Sequence, residues 1–113
     1  MKFTAESIRA IFEGRKTQTR RPIKSILDPY QPGARIEVET ATRAHTGIVI
    51  LIASAKIERL HEIDDRQSRL EGVADREAFR ELWGTLYAAD DPSAWDRNPL
   101  VVVYGFSVEA RYE

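Results

Sequence analysis

The chain has 113 residues, no cysteine, and a formal charge of −1 from 17 basic and 18 acidic residues. That length predicts one domain over residues 1–113 with a modest core. Lack of cysteine excludes disulfides, thiolate metal sites and cysteine nucleophiles, and it fits a cytoplasmic protein.

Apolar residues make up 42% and charged residues 31% of the chain, the balance of a well-solvated globule. The longest apolar run, Ile48 to Ala55, falls well short of the ~18 residues that a membrane-spanning helix needs. Met1-Lys2-Phe3-Thr4 leads into Glu6 and Arg9, so no signal-peptide h-region is expected, and no membrane partner. His45 and His61 are the only imidazoles, and no carboxylates are spaced to complete a site with them. Neither a metal nor a cofactor is expected.

In chain order, Thr4 is positioned to cap a short helix whose apolar residues Ile8, Ile11 and Phe12 follow the helical period. Gly14 stops it, because the left-handed cap conformation costs glycine little. Thr17 to Arg21 predicts a strand ending at Pro22, and Tyr30-Gln31-Pro32-Gly33 predicts a turn. Arg35 to Thr40 alternates as a strand with Ile36 and Val38 on one face. Thr46 to Ile57 is nearly continuous in apolar residues and predicts a central strand. Asp64 caps a short helix to Leu70, with Gly72 just beyond, and Glu58, Glu62, Asp64 and Asp65 are expected as its solvated entry. A longer helix over Asp75 to Tyr87 carries Phe79, Leu82, Trp83, Leu86 and Tyr87 as one apolar stripe. Asp90 to Ser93 is loop, and Leu100 to Val108 is the closing strand. Trp83 is expected in the core. Trp95 either clamps its loop or lines a pocket, and Tyr30 is equally open. Strands joined mostly by short turns, with helices between, predict an α+β fold: a small, mostly antiparallel β-barrel with helices packed outside.

Chemistry concentrates at Gly14-Arg15-Lys16-Thr17-Gln18-Thr19-Arg20-Arg21. Five basic residues lie between Arg15 and Lys24 with no acid among them, which suits one localised anionic or polar ligand. On a strand Thr17, Thr19 and Arg21 point one way, and Gln18 and Arg20 the other. A threonine hydroxyl attacks a carbonyl only when a neighbouring base takes its proton, and here a lysine is the available base. Lys16 would need burial or adjacent positive charge to act so near neutral pH. The alternative is a solvated basic rim with threonines serving strand propensity. Glu71 is the second candidate. A carboxylate at a helix C-terminus faces the negative end of the dipole, a poor location on stability grounds. It is either functional or a surface acid paired with Arg69 or Arg76.

These segments together resemble the ASCH domain family, small PUA-like β-barrels. The resemblance is carried by Phe12-Glu13-Gly14, the basic motif, the Pro32-Gly33 turn, Glu71-Gly72-Val73 before an aromatic-rich helix, and Val102-Val103-Tyr104-Gly105-Phe106. It runs from about residue 5 to residue 108. Within that family the chain looks most like the short bacterial amidohydrolases of N(4)-acylated cytidines. That likeness implies catalytic roles for Lys16, Thr19 and Glu71, and substrate contacts from Arg21, Thr17 and Arg20. Gln18 and Arg20 stand where those amidohydrolases carry apolar residues, and the segment from Asp90 to Asn98 is longer. The Lys-Thr-Gln-Thr-Arg-Arg variant is also typical of phage-associated ASCH proteins of unassigned function. The implied partner is a small modified nucleoside or base, with Thr19 as nucleophile or with water activated by Lys16. RNA is a second possible partner. A non-catalytic RNA-binding ASCH module and a ribonuclease are the alternatives.

Overall fold

The computed structural model describes residues 1–23 and 30–111, so Lys24 lies outside the described residues. Helix α1 spans Ala5–Phe12. Thr4, extended at φ −69° and ψ 161°, caps it by accepting the Ser7 N–H, and Gly14 at φ +79° turns the chain away. Strand β1 is Gln18–Pro22, β2 is Arg35–Glu39, β3 is His45–Arg59 and β4 is Leu100–Arg111. The turn before β2 forms as expected: Ala34 N–H donates to the Gln31 carbonyl, and Gly33 supplies φ +94°. Helix α2 covers Asp65–Leu70 and α3 covers Arg76–Leu86, capped by the Asp64 and Asp75 carboxylates respectively.

The strands form one antiparallel sheet in the order β1-β4-β3-β2, which puts β3 in its interior as expected. The β3–β4 ladder runs from Ile48 opposite Arg111 to Arg59 opposite Leu100, with irregularities at Val49/Ile50 and Ile52/Ser54. Such bulges bend the bulged strand and tighten its twist. At the second one Gly105 faces Ser54, and an added Cβ would lie 2.6 Å from Ser54 Oγ. The bending brings both sheet edges within reach of a single segment. Lys2 bridges Glu39 beside β2, while Arg21 of β1 donates to the Lys2 carbonyl at 2.7 Å. The sheet is therefore rolled, with residues 1–3 spanning its open side.

Inside the roll, Ile11 of α1 packs on Val38, Ile48, Ile50, Ile52, Val102, Tyr104 and Phe106. The opposite face of β4 presents Val101 and Val103 to a second core with Leu60, Ile63, Phe79, Trp83 and Trp95. Period-two alternation thus divides β4 between two cores. Trp83 is core, as expected, and Trp95 clamps its loop with its ring 4.6 Å from His61. Short 3₁₀ turns at Leu60–Glu62 and Trp95–Arg97 were not legible beforehand. Phe12 and Leu86 stay exposed although they share the period of their buried neighbours. The Tyr30 ring lies 5.8 Å from that of Tyr104, tilted by 57°, and the Tyr104 hydroxyl accepts the Tyr30 N–H. No helix among the described residues is long and apolar enough to cross a membrane.

Candidate functional site

The site forms where the end of α2 meets the segment between α1 and β1. Glu71 caps α2, and Gly72 at φ +96° turns the chain immediately afterward. A Cβ on Gly72 would stand 3.3 Å from both Ala10 Cβ and Lys16 Cβ, so glycine allows this close approach. Main-chain bonds fix the α1–β1 segment in place: Lys16 N–H donates back to the Ala10 carbonyl of α1 at 3.1 Å, and Thr17 N–H ties it to α2 through the Leu70 carbonyl at 2.9 Å.

Lys16 is consequently buried against Glu71. Its Nζ donates to the Glu71 carbonyl at 2.9 Å and lies 3.5 Å from Glu71 Oε1. Only 4% of Lys16 and 3% of Glu71 remain exposed. The solvated-rim reading of Lys16 and the surface-acid reading of Glu71 both fall, and neither Arg69 nor Arg76 is the partner. Glu71 Oε2 instead accepts from Gln18 Nε2 at 3.1 Å and Arg20 Nη1 at 3.0 Å. Those shared contacts confirm that Gln18 and Arg20 project from the same face of β1.

Thr19 and Arg21 occupy the other face together. Arg21 Nε donates to Thr19 Oγ1 at 3.3 Å, and its guanidinium lies 4.6 Å over the Phe3 ring. Lys16 reaches the same cavity from the turn, outside the pleat, as its long stem allows. Thr17, expected among the substrate contacts, is exposed and lies off the cavity wall. Its N–H and carbonyl are consumed by Leu70 and Phe106 in main-chain bonds.

The cavity has a volume of about 360 Å³, toward the small end of the ligand-site range of about 300–1,000 Å³. Lys16, Thr19, Arg20, Arg21 and Glu71 contribute to its polar lining together with Lys2, Thr4 and Ser7, and α3 supplies Phe79, Leu82, Trp83 and Leu86, with Tyr87 just beyond its end. The helical stripe thus has two uses, with Phe79 and Trp83 packing the core and Leu86 left open to the cavity. A neighbouring hollow of about 460 Å³, lined by Tyr30 and Tyr104 among others, shares Lys2 and Arg21 with it.

Burial pushes the Lys16 amine below its ordinary proton affinity; Glu71 opposes this, and the Arg21 and Arg20 charges reinforce it. Burial also lowers Arg21, although a guanidinium keeps its charge in proteins. The Tyr87 phenol is raised by burial, with Arg21 acting against the rise.

Two residues of the site escaped the sequence. Glu58, expected in a solvated acidic entry, accepts from Arg20 Nη2 and is mostly buried. Gln67 of α2 accepts from the same nitrogen at 2.6 Å. Arg20, expected to contact substrate, is engaged by protein acceptors on both terminal nitrogens. Of the remaining acidic group, Asp64 caps α2 and Asp65 accepts the Arg76 N–H at 2.9 Å. His45 pairs with Glu37 at 2.9 Å, and the His61 ring stacks on Trp95.

No family model and no curated protein matches the sequence. Solved structures do match. An ASCH domain from Lactobacillus crispatus JV V101 aligns at TM-score 0.75 and 15% identity, over 93% of this chain and 71% of its own. A DUF984 protein from Enterococcus faecalis V583 aligns at TM-score 0.66 and 17% identity, over 92% and 70%. At such identities the likeness concerns the backbone. The rolled antiparallel sheet with helices packed outside it is an ASCH-like fold, a small α+β domain.

Proposed function

We propose that the cavity is the active site of an amidohydrolase that removes the acyl group from N(4)-acylated cytosine nucleosides or bases. The supporting observation is the burial of Lys16 beside Glu71, 55 residues away in sequence, in the cavity that Thr19 also lines. A neutral amine has two N–H donors and one lone pair. The two donors match the Glu71 carbonyl and Oε1, which leaves the lone pair to accept a proton.

In this reading Lys16 takes the proton of the Thr19 hydroxyl, and Thr19 Oγ1 bonds to the acyl carbon. The Arg21 guanidinium, already donating to Thr19, stabilises the negative charge that develops on the acyl oxygen. The bond from acyl carbon to exocyclic nitrogen then breaks. The proton held by Lys16 passes, with Glu71 Oε1 as its hydrogen-bond partner, to the departing amine. Water hydrolyses the resulting threonyl ester and releases a carboxylate. The aromatic and aliphatic residues of α3 suit a planar pyrimidine and exclude bulk water from the ester.

The test uses purified protein and N(4)-acetylcytidine, with conversion to cytidine followed by ultraviolet absorbance. Lys16→Ala, Thr19→Ala and Glu71→Ala are each expected to lose about 10²-fold or more in rate. Rates equal to wild type in all three variants would refute the assignment. Intact-mass detection of an acyl adduct, absent in Thr19→Ala, marks the covalent route.

A further inference from the structure

Arg20 is fully buried although it carries a permanent charge. Its Nη1 donates to Glu71 Oε2 at 3.0 Å, and its Nη2 donates to Glu58 Oε1 and to Gln67 Oε1. Its Nε–H finds no acceptor among the described residues. Such a cluster is a weak source of stability, because desolvation of the ions offsets their attraction and an orphaned N–H adds a further cost. Its geometry relative to Lys16 suggests another purpose. Glu71 offers Oε1 to Lys16 and Oε2 to Arg20, so two cations pull on one carboxylate. Glu58 competes for the same guanidinium from β3.

We propose that Arg20 is a positioning residue, which holds Glu71 by Oε2 and thereby sets how firmly Glu71 retains a proton on Lys16, with Glu58 regulating that hold. The inference deepens the amidohydrolase reading and rests on it for its catalytic meaning, but the titration of Lys16 can be measured without turnover.

The charged and titratable groups around Lys16 come from every packed element. Glu71 ends α2, Arg20 and Arg21 project from β1, Lys2 lies in the N-terminal segment, and Tyr87 follows α3. Behind Arg20 stands Glu58, itself 3.5 Å from Lys56. Of the nearest three, Arg20 and Arg21 drive the proton off Lys16 while Glu71 retains it.

The experiment follows the Lys16 side chain by heteronuclear NMR through an alkaline titration of the full chain. Wild type, Arg20→Met, Arg20→Lys and Glu58→Gln are compared. In Arg20→Met the Glu71 carboxylate is left to Lys16, and the midpoint rises by about one pH unit or more. Arg20→Lys restores the charge without the fork, so its midpoint falls between. Glu58→Gln frees the guanidinium for Glu71, so its midpoint drops below wild type. Should Arg20→Met not fold, the downward shift in Glu58→Gln decides alone. An unmoved midpoint in folded Arg20→Met, or one that does not drop in Glu58→Gln, overturns the proposal. A shifted midpoint in a protein that never hydrolyses N(4)-acetylcytidine leaves Arg20's role standing and removes the amidohydrolase.

Discussion

Lys16 owes its chemistry to where it sits. Folding removes its amine from water and lowers its proton affinity, with Glu71 only partly offsetting the loss. Between the folded and unfolded titration points, the unfolded chain therefore binds more protons than the folded one. The stability that Lys16 governs is fully present above the unfolded value, declines as pH falls across the window, and is lost below the folded value. The full slope of one such proton is about 1.4 kcal/mol per pH unit. Lys16→Met is expected to flatten the rise in urea midpoint as pH climbs toward the ordinary lysine range, and an unchanged slope would contradict this origin. The same lowering predicts a hydrolysis rate that climbs with pH and levels off before the ordinary lysine range. Lysine and threonine three positions apart were readable in the sequence as a candidate pair. Glu58 was not, because in one dimension it belongs to an acidic run and its partner Arg20 lies 38 residues earlier.

At the scale of elements, α2 matters beyond its six residues. A helix this short has little intrinsic stability, so its ends and contacts hold it. Asp64 supplies one end, accepting the Gln67 N–H at 2.7 Å, while its carbonyl accepts the Ser68 hydroxyl at 2.8 Å. Glu71 supplies the other end. Asp64→Ala is expected to lower stability by about 1 kcal/mol in urea unfolding. Turnover of N(4)-acetylcytidine should fall with it, because Glu71 loses its fixed origin. Retention of full turnover would show that Arg20 and Lys16 alone hold the carboxylate. Caps, the Pro32-Gly33 turn and the stripe of α3 were all legible, since each depends on residues close in sequence. The β3–β4 irregularities and the exposure of Phe12 and Leu86 were not, since a neighbouring element decides them.

At the scale of the molecule, the basic motif changes meaning on folding. Arg15 pairs with Glu13 at 2.8 Å, Arg20 is enclosed by carboxylates, and Arg21 lies over Phe3. Few of these cations are left to neutralise a phosphate backbone, and the whole chain carries −1. Binding of a single-stranded RNA oligonucleotide, read by fluorescence anisotropy, is accordingly expected to be weak. Its slope of log affinity against log salt should be no steeper than about −2, equivalent to about three phosphates. A steeper dependence with tight binding would favour the RNA-binding alternative.

The order of helices and strands, their caps and turns, and the grouping of reactive side chains near residue 16 all follow from local pattern, because propensity and periodicity act over a few residues. Which charge meets which is settled only when the bent sheet rolls and α2 lands on the start of β1. Burial and ion pairing are properties of three-dimensional neighbours. Thus the sequence alone identified Lys16, Thr19 and Glu71 as candidates, whereas tertiary packing set Thr17 off the cavity wall, brought Glu58 and Gln67 to Arg20, and buried Arg20 between two carboxylates.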